Sequence, residues 1–253
     1  MSGFGALLRK ELLETWRTTR LPVVTAVFLL VGLTSPLLAR FTPEIIEAVG
    51  GDQFQIILPP PTTADSVDQL AKNLGQLGIL VAVLLAMGSV ATEKERGTAG
   101  LILTKPAGRA AFLLAKIAAI ATTLGVATAV AGAGAWFYTL VLFEPLPILG
   151  FAASLVLQWL ALVAFAAITF LGSTLTRSAV AAAGLGVAAF IVVGLLGIVP
   201  AVARYLPTGL GAPARALALG QGGVDVAGPV VATVGLIAAL AALSWLAFRR
   251  QEL

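Results

Sequence analysis

Cysteine and histidine are both missing from the 253 residues. Without them the chain has no disulfide, no thiol redox couple and no cysteine–histidine zinc site. Losing histidine also removes the commonest general base and metal ligand. A serine–histidine hydrolase and an H-E-x-x-H metalloprotease are thereby excluded. No G-x-x-x-x-G-K-[ST] phosphate loop occurs, so the chain does not bind ATP in that manner. Charge is scarce as well, at 11% of residues, where soluble domains carry ~25%. A soluble globule needs more charge than this to cover its surface.

What is abundant is apolar sequence: 59% of residues are hydrophobic and the mean hydropathy is +1.01. A helix needs about 20 such residues to cross the hydrocarbon of a bilayer. Six runs qualify: Leu21–Ala39, Leu74–Ala91, Ala110–Phe143, Ile148–Leu175, Ala179–Val199 and Pro229–Phe248. Backbone groups in lipid must bond within their own segment, so each run is expected as a helix. The third is longer than one upright crossing. Its start is expected in the interface, with Lys116 reaching back toward water. The chain is thus an all-α polytopic membrane protein, expected to form one transmembrane domain over residues 1–253, with no linker dividing it.

The basic residues fix an orientation. Arg9, Lys10, Arg17, Arg20, Lys94, Arg96, Lys105, Arg109, Lys116, Arg177, Arg249 and Arg250 fall on one side. Arg40, Lys72, Arg204 and Arg215 fall on the other. By the positive-inside rule, twelve of the 16 basic residues against four place both termini in the cytoplasm. The spread along short loops also explains the net charge of +4 without nucleic acid. A cleaved leader is disfavoured: the lead-in is amphipathic and no A-x-A site precedes Arg40.

Four segments lie outside the spans. Residues 1–20 predict an amphipathic interfacial helix, with Phe4, Leu8, Leu12 and Trp16 on one stripe and Pro22 at the bend into the first span. Residues 40–73 form a net-acidic outer loop. Within it Thr42-Pro43-Glu44 reads as a helix start, Pro59-Pro60-Pro61 as a break, and Thr63 or Asp65 as a second cap. Residues 92–109, TEKERGTAGLILTKPAGR, make a short charged cytoplasmic loop. Ala99–Leu103 is expected as a turn or two of helix there. That turn gains little alone and makes sense docked on a partner. Residues 200–228 predict short helices dipping into the outer interface.

Lys116 aside, the spans hold no ionisable residue, which argues against an internally powered pump. Their polar side chains include Thr169, Ser173 and Gln158. Gln158 is the most costly of them to bury and the best candidate for a pathway-lining group. Glu93 and Glu95 flank a lysine on a loop with no evident cleft, so no catalytic or metal role is assigned to them. No cofactor is expected in this chain.

Three stretches carry a resemblance. Arg9-Lys10-Glu11-Leu12 with Glu14 and Arg17 is similar to the R-K-E-L opening of an elbow helix. Glu93-Lys94-Glu95-Arg96-Gly97-Thr98, with Leu101, Leu103, Pro106 and Arg109, is similar to an E-x-E-R-G-T…L…P…R stretch. Phe248-Arg249-Arg250-Gln251-Glu252-Leu253 is like a basic tail. Together they resemble the permease subunit of the type-two, exporter-type ABC transporter family. The resemblance implies a multi-pass subunit in the cytoplasmic membrane of a prokaryote that exports a substrate and is not itself an enzyme. It implies two cytoplasmic ATPase subunits and a second permease, identical or homologous. It also implies an elbow helix that includes Arg9, Lys10, Glu11 and Trp16, in contact with membrane lipids. Glu93, Glu95, Arg96, Gly97 and Thr98 would seat a coupling helix on the ATPase. The alternative is a non-transporting subunit that passes ATPase motion to, or anchors, an extracytoplasmic partner; the acidic outer loop motivates it. The substrate is not legible.

Overall fold

The computed structural model describes residues 3–50, 59–97 and 108–251. All regular structure among these residues is helical. Six helices are long and apolar enough to cross a membrane: Arg20–Ala48, Thr63–Glu95, Arg109–Leu142, Ile148–Leu175, Ala179–Leu196 and Ala227–Arg249.

The chain opens with α1, Phe4–Arg17. It breaks at Thr18 and Thr19, and Thr19 takes a positive φ of 58°. That left-handed conformation is unusual for a β-branched residue. The bend therefore comes before Pro22, which instead sits in the first turn of α2, Arg20–Gly50, where a missing N–H costs nothing.

Helix α2 corrects a second expectation. Thr42-Pro43-Glu44 does not start a new helix, because α2 runs on through both Pro36 and Pro43. Neighbouring hydroxyls bind carbonyls in this stretch: Ser35 Oγ donates to Val31 O at 2.6 Å and Thr34 Oγ1 to Leu30 O at 2.7 Å. The prolines each remove one ladder donor, to the carbonyls of Gly32 and Ala39, and the helix continues past both. Gly32 then meets the next long helix. A Cβ there would overlap the carbonyl oxygen of Ala131, so only glycine allows that crossing.

The second span is longer than its apolar run. It begins at α3, Thr63–Asn73, passes through a π turn at Leu74–Gly78 and continues as α4, Ile79–Met87. The cap is Thr62, not Thr63 or Asp65: the Asp65 carboxylate accepts from Thr62 N at 2.7 Å and from Thr62 Oγ1 at 2.6 Å. After a break at Gly88 the chain forms α5, Ala91–Glu95. Long helices α6, Arg109–Leu142, and α7, Ile148–Leu175, follow, then α8, Ala179–Leu196. The segment before the last span holds α9, Pro200–Ala203, a 3-10 turn at Pro207–Leu210 and α10, Gly211–Ala218. The expected short helices are there. Arg215 Nε binds Asp68 Oδ1 at 2.7 Å, which ties α10 to α3. Helix α11, Ala227–Arg249, is the last.

Helix α7 is the hub, packed by α4, α6, α8, α10 and α11, while α6 also carries α1 and α2. Phe28, Phe112, Phe165, Phe170 and Phe248 are the largest side chains fully buried between them. Outer faces stay apolar and uncovered, as at Leu195 and Val231. That is the pattern expected where lipid replaces water.

Candidate functional site

The end of the bundle that gathers α1, α5, the start of α6 and the end of α11 carries the chemistry. Lys116 lies in α6 two turns from its start, with only 5% of its side chain exposed. It does not reach back to water. Its ammonium meets Glu93 Oε1 at 2.7 Å and Glu11 Oε1 and Oε2 at 3.1 and 3.2 Å. Lys10 closes the cluster from the rim, at 2.9 Å from Glu11, 3.2 Å from Glu14 and 3.7 Å from Glu93. The Phe112 ring lies 5.1 Å from the Lys116 ammonium. A lone cation buried in an apolar helix is costly, and opposing carboxylates offset that cost. Helix α1 is thereby fastened through Glu11 to α6, and α5 through Glu93 to the same atom.

These neighbours also set protonation. Burial raises the Glu11 pKa, but Lys116 and Lys10 outweigh it and hold the carboxyl below its ordinary 4.5. Burial pulls Lys10 down, but Glu11, Glu93 and Glu14 outweigh it and hold the ammonium above its ordinary 10.5. Both groups are charged at neutral pH.

A second set of bonds fixes α5 from the other side. Val90 N and Ala91 N both donate to Ser173 Oγ, at 3.1 and 2.9 Å, across the break after Gly88. Lys94 Nζ donates to Thr174 O at 2.7 Å and to Gln251 Oε1 at 3.3 Å. Gln251 Nε2 donates to the same Thr174 carbonyl at 2.9 Å. Arg109 then caps α11, donating to the carbonyls of Phe248, Arg249 and Gln251 at 3.1, 2.8 and 3.1 Å. Carbonyls at a helix end lack intrahelical partners, so this cation meets both their hydrogen-bonding need and the helix dipole.

The motif residues therefore divide. Glu93 and Lys94 turn into the bundle, while Glu95, Arg96 and Gly97 face outward. Gly97 has φ 69°, a turn that glycine makes without strain. Thr98, Ala99–Leu103, Lys105 and Pro106 lie outside the described residues, as do Glu252 and Leu253. On α1, Glu11 faces the bundle, Arg9 faces away, and Trp16 is 62% exposed. Beside the stripe Phe4, Leu8, Leu12 and Trp16, Leu7 packs on the core and Glu11 meets Lys116.

The meeting of Glu11, Glu93 and Lys116 is absent from the sequence reading, as are the roles of Gln251 and Arg109. A single cation in an apolar run was the available signal, because it calls for a buried carboxylate. A cleft not evident from the sequence also exists here: a cavity of about 320 Å³ lies against Glu93, Glu11 and Lys116.

Gln158 sits elsewhere, in α7. It lines an apolar cavity of about 180 Å³ with Leu74, Phe165, Phe190 and Leu210. Its buried Oε1 finds no hydrogen-bond partner among the described residues. The π turn at Leu74–Gly78 forms one wall. No group of histidine, cysteine, aspartate or glutamate among the described residues is arranged to hold a metal.

Comparison with known proteins agrees with this architecture. The family model described as ABC-2 family transporter protein matches residues 6–253. The chain is also similar to the uncharacterized transmembrane protein YxlG of Bacillus subtilis (strain 168), 32% identical over 257 residues, covering 100% of this chain and 99% of that one.

Proposed function

This chain belongs to the ABC-2 family of transporter proteins, as a membrane subunit of an ABC transporter, and from that premise we propose that its basic end is the docking face for a separate ATPase. In this reading the protein lies in the cytoplasmic membrane of a prokaryote with both termini in the cytoplasm. Two ATPase subunits and a second permease complete an exporter.

The Lys116 cluster carries the reading. The stub Glu93–Gly97 is held on one side by Lys116 and on the other by Thr174 and Gln251. A push on the exposed Glu95 and Arg96 therefore reaches α1, α6, α7 and the end of α11 together. Charge pairs at an exposed rim set register and encounter more than affinity. Glu95 and Arg96 suit that task, and Glu93 and Glu11 serve transmission. Gln158, which lines an apolar cavity and whose buried carbonyl has no partner among the described residues, is the candidate pathway-lining residue.

The test is reconstitution with the cognate ATPase in vesicles. Glu95→Ala with Arg96→Ala should lower ATP-dependent activity while the permease stays folded. ATPase assembly and activity equal to wild type would remove the coupling role. ATP hydrolysis stimulated without movement of lipid, peptide or solute would favour the non-transporting reading.

A further inference from the structure

Two neighbouring cavities share a wall. The first is the polar cavity of about 320 Å³ beside the Lys116 cluster. The second is an apolar groove of about 530 Å³, lined by Val23, Val24, Val27, Val81 and Leu84. Arg20, Leu85, Gly88 and Thr92 border both. The pair forms one amphipathic slot, with its polar end under α1 and its apolar end running between the first and second spans.

Charge within the slot is uneven. Lys10 and Lys116 are paired with three carboxylates, Glu11, Glu14 and Glu93, so the polar end is net positive by one charge only through its two arginines. Arg20 and Arg96 also line the polar end and have no ion pair among the described residues. The hydroxyl-bearing Thr15, Ser89 and Thr92 border the same space. Two arginines and three hydroxyl-bearing residues lining one cavity suit a phosphate, which arginine binds through its planar fork. The groove leading away offers aliphatic walls: Val23 is 57% exposed, Val27 36% and Leu84 52%. Both volumes fall in the range of ligand sites.

We propose that this slot holds one anionic diacyl phospholipid, with its phosphate between Arg20 and Arg96 and an acyl chain along Val23, Val27 and Leu84. A free phosphate would leave the groove unused, and a neutral hydrocarbon would leave the arginines unpaired. The lipid lies against the joint between α1 and α2, beside Thr19 in its left-handed conformation. Its presence therefore bears on how α1 is held. The inference needs only the membrane-spanning fold, not the ATPase reading.

The test uses the full chain, stripped of lipid in a neutral detergent and titrated with phosphatidylglycerol, phosphatidylcholine or glycerol phosphate, with bound mass read by native mass spectrometry. Phosphatidylglycerol should bind most tightly, and glycerol phosphate should not displace it. At about one anionic-lipid contact per arginine, Arg20→Gln with Arg96→Gln should weaken phosphatidylglycerol about thirtyfold. Leu84→Trp, at an exposed position that fills the groove, should weaken it while leaving the fold intact. Equal binding of phosphatidylglycerol and phosphatidylcholine, or displacement by glycerol phosphate, overturns the proposal. So does a groove-filled variant that binds as wild type. If the double glutamine variant does not fold, the wild-type competition and Leu84→Trp decide the matter.

Discussion

Replacing Lys116 by methionine removes the more buried of the two cations that Glu11 and Glu93 both face. The lysine side chain is 5% exposed, Glu11 13% and Glu93 17%. After the change, two nearly buried carboxylates keep Lys10 beside them, whose side chain is 43% exposed. Breaking one side of a buried ion pair costs about 3–5 kcal/mol, because the stranded charge keeps its desolvation penalty. Glu11→Gln should cost less, about 1–3 kcal/mol, since Glu93 still pairs with Lys116 at 2.7 Å. The triple change Lys116→Met, Glu11→Gln and Glu93→Gln removes the buried cation and both carboxylates together and should return to within about 1 kcal/mol of wild type. Reversible unfolding in mixed micelles gives the free energies. Amide exchange over residues 4–17 reports whether α1 has come loose. If Lys116→Met unfolds and exchanges as wild type does, the cluster does not fasten α1. If the triple variant is no better than the single, stranded charge is not the cause.

Three further outcomes follow from particular contacts. Ser173→Ala leaves the amides of Val90 and Ala91 without their acceptor, and should destabilise by about 1–3 kcal/mol in the same unfolding assay. Gly32→Leu drives a side chain into the Ala131 backbone, and overpacking of this kind costs about 1–3 kcal/mol; cross-linking between α2 and α6 should fall. For pH, the sign is set by each shift. Glu11, held below 4.5, contributes stability that is present above 4.5 and lost as pH falls through its lower native value. Lys10, held above 10.5, contributes stability that is present below 10.5 and lost as pH rises through its higher native value. Exchange protection of α1 attributable to these two groups should be flat between those limits. Loss of α1 protection between pH 6 and 8 in the wild type would contradict both shifts.

The spans were legible because lipid imposes a simple demand: about 20 apolar residues with every backbone group bonded locally. Ile148–Leu175 agrees to the residue. The failures came where the local signal and the tertiary context disagree. Pro43 reads as the first turn of a new helix, yet α2 runs on through it and through Pro36. The helix expected from Thr63 or Asp65 into the second span is α3, 11 residues long, and only its cap moves, to Thr62. At the candidate site the motif residues were visible as residue types, but their directions were not. Glu93 and Glu95 differ by two positions on a short helix, which puts them on different faces. Only the first meets Lys116, and Glu11 lies 105 positions from that lysine. No short-range pattern records such a meeting.

The sequence contains no cysteine, so a single Glu95→Cys variant offers one labelling site with no background to remove. A membrane-impermeant maleimide should label it in inverted membrane vesicles and not in intact cells, and added ATPase subunit should block the label. Labelling from the outside of intact cells, or labelling indifferent to the ATPase, would contradict a motor docked at this end.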